Sequence, residues 1–244
     1  MKKIFTIFAI IIALSACKND IEPPKLRYEN TPKTENAIPK PDSTQVTIAD
    51  LPILMEGTKI LIHPIGDIRV YEKKYKSSYG SSSAETESYQ ISNFSEFEIT
   101  GFLSNLNFQE VGSNLITPLT TKAVLIQTAT FLKTVSDKTK QQLLVYSMAD
   151  LDTNKDLKID VSDIKTLYIS EINGKNLTKL SPDFQELIDW NLIESKNLLY
   201  FRTIEDTNKN GQFDKLDVIH YNVVDLSTKI WKVLQYQPIA SAAK

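Results

Sequence analysis

Cysteine and histidine are scarce in this chain of 244 residues, which contains one cysteine and two histidines. A single cysteine excludes an internal disulfide framework and any cysteine-rich zinc or iron–sulfur site. His63 and His220 lie far apart in the sequence, so a multi-histidine metal centre would need the fold to bring them together. The formal net charge of -2 argues against a nucleic-acid binder whose affinity depends on neutralising phosphates.

Long apolar runs are also rare, and the most prominent one occupies residues 4–14, directly after Lys2 and Lys3. It is too short to span a bilayer as a helix, but its length and basic flank are typical of a secretion signal. The run ends in Leu14-Ser15-Ala16-Cys17, which resembles the lipobox of bacterial lipoproteins. The resemblance implies a signal peptide over residues 1–16 and a lipid, such as palmitate, on Cys17.

The residues after the cysteine indicate a cellular location and a flexible spacer. Lys18 stands where an aspartate would favour retention in the inner membrane of a Gram-negative bacterium. The resemblance to lipoproteins therefore implies the outer membrane or the cell surface. Residues 18–50 are rich in proline and polar residues and lack apolar periodicity, so we predict a flexible tether over residues 17–50.

The remainder of the chain reads as an all-β protein. Short runs of β-branched, aromatic and aliphatic residues alternate with polar turn clusters. We expect an N-terminal β region over residues 51–120 and two repeated β units over residues 121–240.

An internal repeat defines these two units. Residues 143–149 and 198–204 are apolar runs that each lead into an Asp/Asn-rich loop, a second strand-like run, a turn and a last short run. With the upstream runs at 124–135 and 187–195, the pattern predicts two antiparallel four-stranded units in tandem. Residues 167–182 resemble the strand–Asn-Gly–strand motif of WD40-like propeller proteins. Because the length provides about three units and a closed propeller needs about four or more, we expect a partial propeller or a sandwich.

Both repeated loops have the spacing Asp-x-Asn-x-Asp/Asn-x-x-apolar-Asp-x-x-Asp, which resembles the EF-hand loop and, more closely, its bacterial dockerin-type relatives. Calcium takes six to eight oxygen ligands at about 2.3–2.6 Å, and a tight loop of this spacing can supply them. The ligands that the resemblance implies in the second loop are Asp206, Asn208, Asn210, Gln212 through its carbonyl, Asp214 through water, and Asp217. Those in the first loop are Asp152, Asn154, Asp156, Lys158 through its carbonyl, Asp160 and Asp163.

The two loops differ at the sixth position, where the chain turns sharply. The second loop has Gly211 there and the first has Leu157. A branched residue resists positive φ, so the first loop must be strained or rearranged. Because the flanking runs are strand-like, we expect both loops to lie in β-hairpins. The alternative is a pair of Asx-rich surface turns that bind nothing, since Asp, Asn and Gly favour turns in any case.

The favoured functional hypothesis is a calcium-stabilised binding or scaffold module that is anchored to the membrane and is not an enzyme. Its expected partners are the membrane, calcium and a protein or glycan, with no nucleic acid. One alternative is an envelope-associated glycan-processing enzyme, for which Asp183, Glu186 and Asp189 near Trp190 would be the candidate acids. The other is an accessory subunit of an envelope complex, which the sequence does not distinguish from the first hypothesis.

Overall fold

The computed structural model describes residues 23–28, 45–69 and 89–239. The predicted signal peptide and Cys17 lie outside these residues. The described part consists of strands and one short helix, in the order β1 (Gln45–Ala49), β2 (Ile53–Leu54), β3 (Ile60–Arg69), β4 (Ser92–Ser95), β5 (Glu98–Glu110), β6 (Ile116–Pro118), β7 (Leu125–Phe131), α1 (Lys133–Thr139), β8 (Leu143–Ala149), β9 (Thr166–Glu171), β10 (Thr178–Lys179), β11 (Gln185–Ile193), β12 (Leu198–Glu205), β13 (Val218–Asp225) and β14 (Val233–Gln235). None of the described helical residues forms a helix that is long and apolar enough to cross a membrane.

The strands form two antiparallel sheets, which confirms the all-β prediction. The larger sheet has ten strands in the order β1-β3-β5-β7-β8-β9-β10, with β2 paired to β3 and both β4 and β6 paired to β5. The smaller sheet has the order β11-β12-β13-β14. Neither sheet closes into a barrel within the described residues.

The two predicted four-stranded units are present as consecutive meanders, β7 to β10 and β11 to β14. The first is not an isolated blade, because β7 also pairs with β5 and so joins the larger sheet. The upstream run at 124–135 is shorter than expected as a strand. It ends at Phe131, and α1 follows, with Lys133 paired to Asp137 one turn later and Val135 buried.

The packing of β8 on both of its faces explains why its sequence is a nearly continuous apolar run. Leu144, Tyr146 and Met148 belong to a core within the larger sheet, whereas Leu143 and Val145 belong to a second core. That second core also contains residues of the smaller sheet, including Leu199, Phe201 and Val224. Both faces of β8 are therefore covered, and the two sheets share the second core.

The folded body begins earlier in the chain than the predicted boundary at residue 50. Within the predicted tether, β1 pairs residue by residue with β3, from Gln45 opposite Arg69 to Ala49 opposite Ile65. Residues 23–28 also lie against the body, and the contacts that hold them are described below. The low apolar content of this region made it look like a spacer, but backbone hydrogen bonds to partners distant in sequence order both segments.

Candidate metal-binding loops

The two Asx-rich loops occupy equivalent places in the two four-stranded units. The first loop, residues 152–163, connects β8 to β9, and the second loop, residues 206–217, connects β12 to β13. In each case the connected strands are antiparallel neighbours, with Met148 opposite Thr166 and Glu205 opposite Val218. The loops therefore lie in β-hairpins, as expected.

The first aspartate of each loop binds the backbone of the sharp turn. Asp152 accepts hydrogen bonds from the Asp156 N–H at 3.1 Å and the Leu157 N–H at 2.8 Å. Asp206 accepts the equivalent bonds from the Asn210 N–H at 3.1 Å and the Gly211 N–H at 2.7 Å. The two loops are therefore wound in the same way around their first ligand position.

The last aspartate closes each loop onto its beginning. Asp163 accepts bonds from the Thr153 N–H at 2.7 Å and the Asp160 N–H at 2.9 Å. Asp217 does the same for Thr207 at 3.1 Å and Asp214 at 2.8 Å. These bonds connect the second, ninth and twelfth positions of each loop, so the closing carboxylate lies beside the entrance of the loop.

The intermediate ligand positions form short turns that repeat in both loops. A side-chain oxygen at the third, fifth or ninth position accepts a bond from the backbone N–H two residues later. The acceptors are Asn154, Asp156 and Asp160 in the first loop and Asn208, Asn210 and Asp214 in the second, at 2.7–2.9 Å. The amide of Asn210 also donates to Asp214 at 3.2 Å, which brings the fifth and ninth positions of the second loop together. The N–H groups of Lys158 and Gln212 are two of the donors in these turns.

Leu157 adopts the backbone conformation that the motif assigns to glycine. Its φ is 71°, compared with 82° for Gly211. The side chain is 46% exposed, so packing contributes little to offset the steric cost of this conformation. Of the two outcomes that the sequence left open, the structure shows strain without rearrangement.

The donor chemistry of the loops fits a hard divalent cation such as calcium, because every side-chain donor at the ligand positions is a carboxylate or amide oxygen. An oxygen that accepts one backbone N–H keeps a second lone pair for an ion. Over residues 23–28, 45–69 and 89–239, no three Asp, Glu, His or Cys side chains are grouped closely enough to hold a metal. Binding would therefore require the carboxylates to turn further inward on a backbone that is already wound.

A short extended segment, residues 23–28, crosses both loops, and we refer to it as the strap. The N–H groups of Lys25 and Arg27 donate to the carbonyls of Ser162 and Thr153 in the first loop, at 3.2 and 2.9 Å. The Leu26 N–H between them donates to the Gly211 carbonyl in the second loop at 3.1 Å. Alternate N–H groups of one extended chain thus bond to alternate loops.

Side chains hold the strap as well as its backbone. Leu26 is buried, and a Cβ added at Gly211 would lie 2.5 Å from the Leu26 carbonyl oxygen. The Tyr28 hydroxyl donates to the Asp206 carboxylate at 3.0 Å. Burial and this hydrogen bond raise the pKa of Tyr28 to about 12, so the phenol remains a donor at neutral pH. A side chain of the strap therefore touches the first ligand position of the second loop.

Two features of this site were absent from the sequence interpretation. One is the strap, which has no periodic pattern to indicate it. The other is the threonine at the second loop position, since Thr153 is buried, donates to Asp163 and accepts the Ile164 N–H. Thr207 makes the equivalent contact with Asp217. The signal for the threonines was available, because both loops begin Asp-Thr-Asn-Lys.

The acids of the alternative, enzymatic hypothesis each pair with a different cation. Asp183 pairs with Lys179 at 2.6 Å, Glu186 with Lys165 at 3.0 Å, and Asp189 with Arg202. His220 contacts Glu205 at 2.7 Å. Burial raises the pKa of Glu186 despite Lys165, whereas the hydrogen bond from Arg202 lowers the pKa of Asp189. The three acids thus belong to separate ion pairs.

Comparison with protein-family models, curated proteins and solved structures finds no match.

Proposed function

We propose that this protein is a lipid-anchored envelope protein whose β domain is stabilised by calcium in the two loops and acts as a binding or scaffold module. The observation that carries the proposal is the identical hydrogen-bonded winding of two loops at equivalent places in two consecutive β units. The same five side-chain oxygen positions, the first, third, fifth, ninth and twelfth, accept backbone bonds in both loops.

Calcium bound at these loops would act as a staple in a domain without disulfides. A ligand that binds the folded state alone stabilises it by about 1.4 kcal/mol when its concentration is ten times the dissociation constant. For a domain of this size, that corresponds to a rise of roughly 3–6 °C in the melting temperature. Extracellular modules of this kind work at dissociation constants of about 10⁻⁴–10⁻³ M.

The proposal is tested by melting the full-length protein in detergent with calcium and with EDTA. We expect chelation to lower the melting temperature by several degrees. Magnesium at equal ionic strength controls for the screening of charges. An identical melting temperature in calcium and in EDTA would overturn the proposed stabilisation by calcium.

Variants assign the effect to the loops. Asp206→Ala should reduce the calcium-induced rise in melting temperature more than Asp152→Ala, because Asp206 is 4% exposed and also binds Tyr28. Asp225→Asn is the matched control, since this aspartate accepts a bond from the Ser227 N–H in a turn outside both loops. Equal calcium responses in Asp206→Ala and Asp225→Asn would contradict the assignment.

The outer face of the smaller sheet supports the binding role. Tyr236 packs edge-on against Tyr200 and Tyr221, with ring centroids 5.3 and 5.9 Å away, and the Arg202–Asp189 pair lies on the same face. Exposed tyrosine and arginine are enriched at interfaces. A pull-down from solubilised outer membrane should lose its specific partners with Tyr236→Ala and keep them with Phe102→Ala, an exposed aromatic of the larger sheet. Equal recovery with both variants would remove this face from the proposal.

A further inference from the structure

The strap is the one described segment that bonds to both loops. We propose that strap docking and cation binding are thermodynamically coupled, so that the docked strap raises the calcium affinity of both loops and makes them bind cooperatively. This inference depends on the proposed calcium function and adds a role for residues outside the ligand positions.

The carbonyls that accept hydrogen bonds from the strap lie next to ligand positions of the loops. Thr153 stands between the first and third ligand positions, Ser162 directly precedes the closing aspartate, and Gly211 stands between the fifth and seventh positions. Their carbonyls face the strap in the wound form of each loop. A cation that favours the wound form therefore also favours the docked strap.

Strap docking and calcium binding are reciprocally linked. If calcium favours docking, docking must favour calcium by the same factor, because the two equilibria share one thermodynamic cycle. The hydrogen bond from Tyr28 to Asp206 gives this linkage a direct contact at a ligand carboxylate. That donor and the Gly211 N–H both bond to Oδ2 of Asp206, whereas Oδ1 accepts the Asn210 N–H and is the oxygen that keeps a lone pair for an ion.

The strap also couples the two loops to each other. Docking uses acceptors of the first loop for Lys25 and Arg27 and acceptors of the second loop for Leu26 and Tyr28. The strap therefore docks fully only when both loops are wound. An ion in one loop would lower the cost of winding the other, which is positive cooperativity carried by a segment that need not touch either ion.

The experiment is calcium titration calorimetry on the full-length protein in detergent, compared with Leu26→Ser and Tyr28→Phe. We expect two sites with a Hill coefficient above 1 in the natural protein. Leu26→Ser should reduce affinity by about tenfold and bring the Hill coefficient to 1, because Leu26 is the buried residue of the strap. Tyr28→Phe should weaken the second loop several-fold. Leu51→Ser is the matched control, since Leu51 is 86% exposed and should leave the isotherm unchanged.

A second readout follows the strap itself. Trypsin should cut after Lys25 and Arg27 more slowly in calcium than in EDTA, and Leu26→Ser should remove this difference. Far-UV circular dichroism establishes that each variant is folded. Natural protein that binds no calcium would overturn the proposed function. Natural protein that binds calcium with the same isotherm as Leu26→Ser, or with no change in trypsin cleavage, would overturn the coupling alone.

Discussion

At the scale of single residues, the first loop shows how a motif can keep its geometry without its preferred residue. Leu157 has the left-handed φ of 71° that Gly211 adopts more easily in the second loop. The Asp156 and Leu157 N–H groups still donate hydrogen bonds to the Asp152 carboxylate. The sequence shows that leucine replaces glycine at this position. It does not show whether the loop keeps its shape, because that depends on whether the hydrogen bonds stabilise the loop by more than the steric cost of positive φ.

Replacing Leu157 with glycine should therefore stabilise the protein. Relief of the left-handed strain contributes about 1–2 kcal/mol, and the greater freedom of glycine in the unfolded chain offsets part of it, leaving a net gain of roughly 0.5–1 kcal/mol. Urea unfolding measures the change. Leu51→Gly is the control, because Leu51 is exposed and has no positive φ, and it should be neutral or destabilising. A loss of stability in Leu157→Gly equal to that in the control would contradict the strain.

At the scale of elements, sequence pattern was most informative where a strand pairs with its neighbour in the chain. The two meanders β7–β10 and β11–β14 were predictable because hairpins combine apolar runs with turn residues close in sequence. Strand β1 and the strap were missed, because their partners lie far away in the chain and the short alternating run of β1 follows a proline-rich polar stretch. Similarly, α1 interrupts a run that looked like a continuation of β7.

The junction between the two sheets contains a carboxylate whose ionisation should reduce stability. Glu186 on β11 accepts the Lys165 N–H just before β9 and is 8% exposed, and burial raises its pKa above the usual 4.5. A raised folded-state pKa means that the folded protein holds this proton more tightly, so stability is lost as the pH rises through that pKa.

Glu186→Gln should consequently be more stable than the natural protein at pH 7, because the amide keeps an acceptor for the Lys165 N–H without a buried charge. Its advantage should shrink as the pH falls and disappear below about pH 4.5, where both forms are neutral. Denaturant unfolding across pH 4–8 gives the measurement. Asp189→Asn is the control at an exposed ion pair and should change stability little. An advantage for Glu186→Gln that does not depend on pH would refute the explanation.

At the scale of the whole molecule, the two sheets share a core and should unfold together. Val145, Leu167 and Ile169 of the larger sheet belong to the same buried cluster as Phe201 and other residues of the smaller one. The all-β class was predictable from strand patterning, but this shared interior was not, because it requires knowing that β8 is covered on both faces.

Two probes can test this cooperativity. Trp190 and Trp231 both lie in the region of the smaller sheet, so their fluorescence reports that sheet, whereas far-UV circular dichroism also reports the ten-stranded sheet. We expect coincident transitions by both probes. Phe201→Ala truncates a side chain that is 1% exposed. It should lower the free energy of unfolding measured by both probes by roughly 3–5 kcal/mol. A shift in fluorescence alone would show two independent units.

The strap also sets a distance. If Cys17 carries a lipid, residues 18–22 separate the bilayer from a docked strap, and five extended residues reach at most about 18 Å. With the strap undocked, the first described residue held by the β domain would lie in β1 instead of in the strap. The height of the β domain above the membrane would then follow the calcium concentration around the cell, and so would its access to partners that lie deeper in the envelope or farther from it.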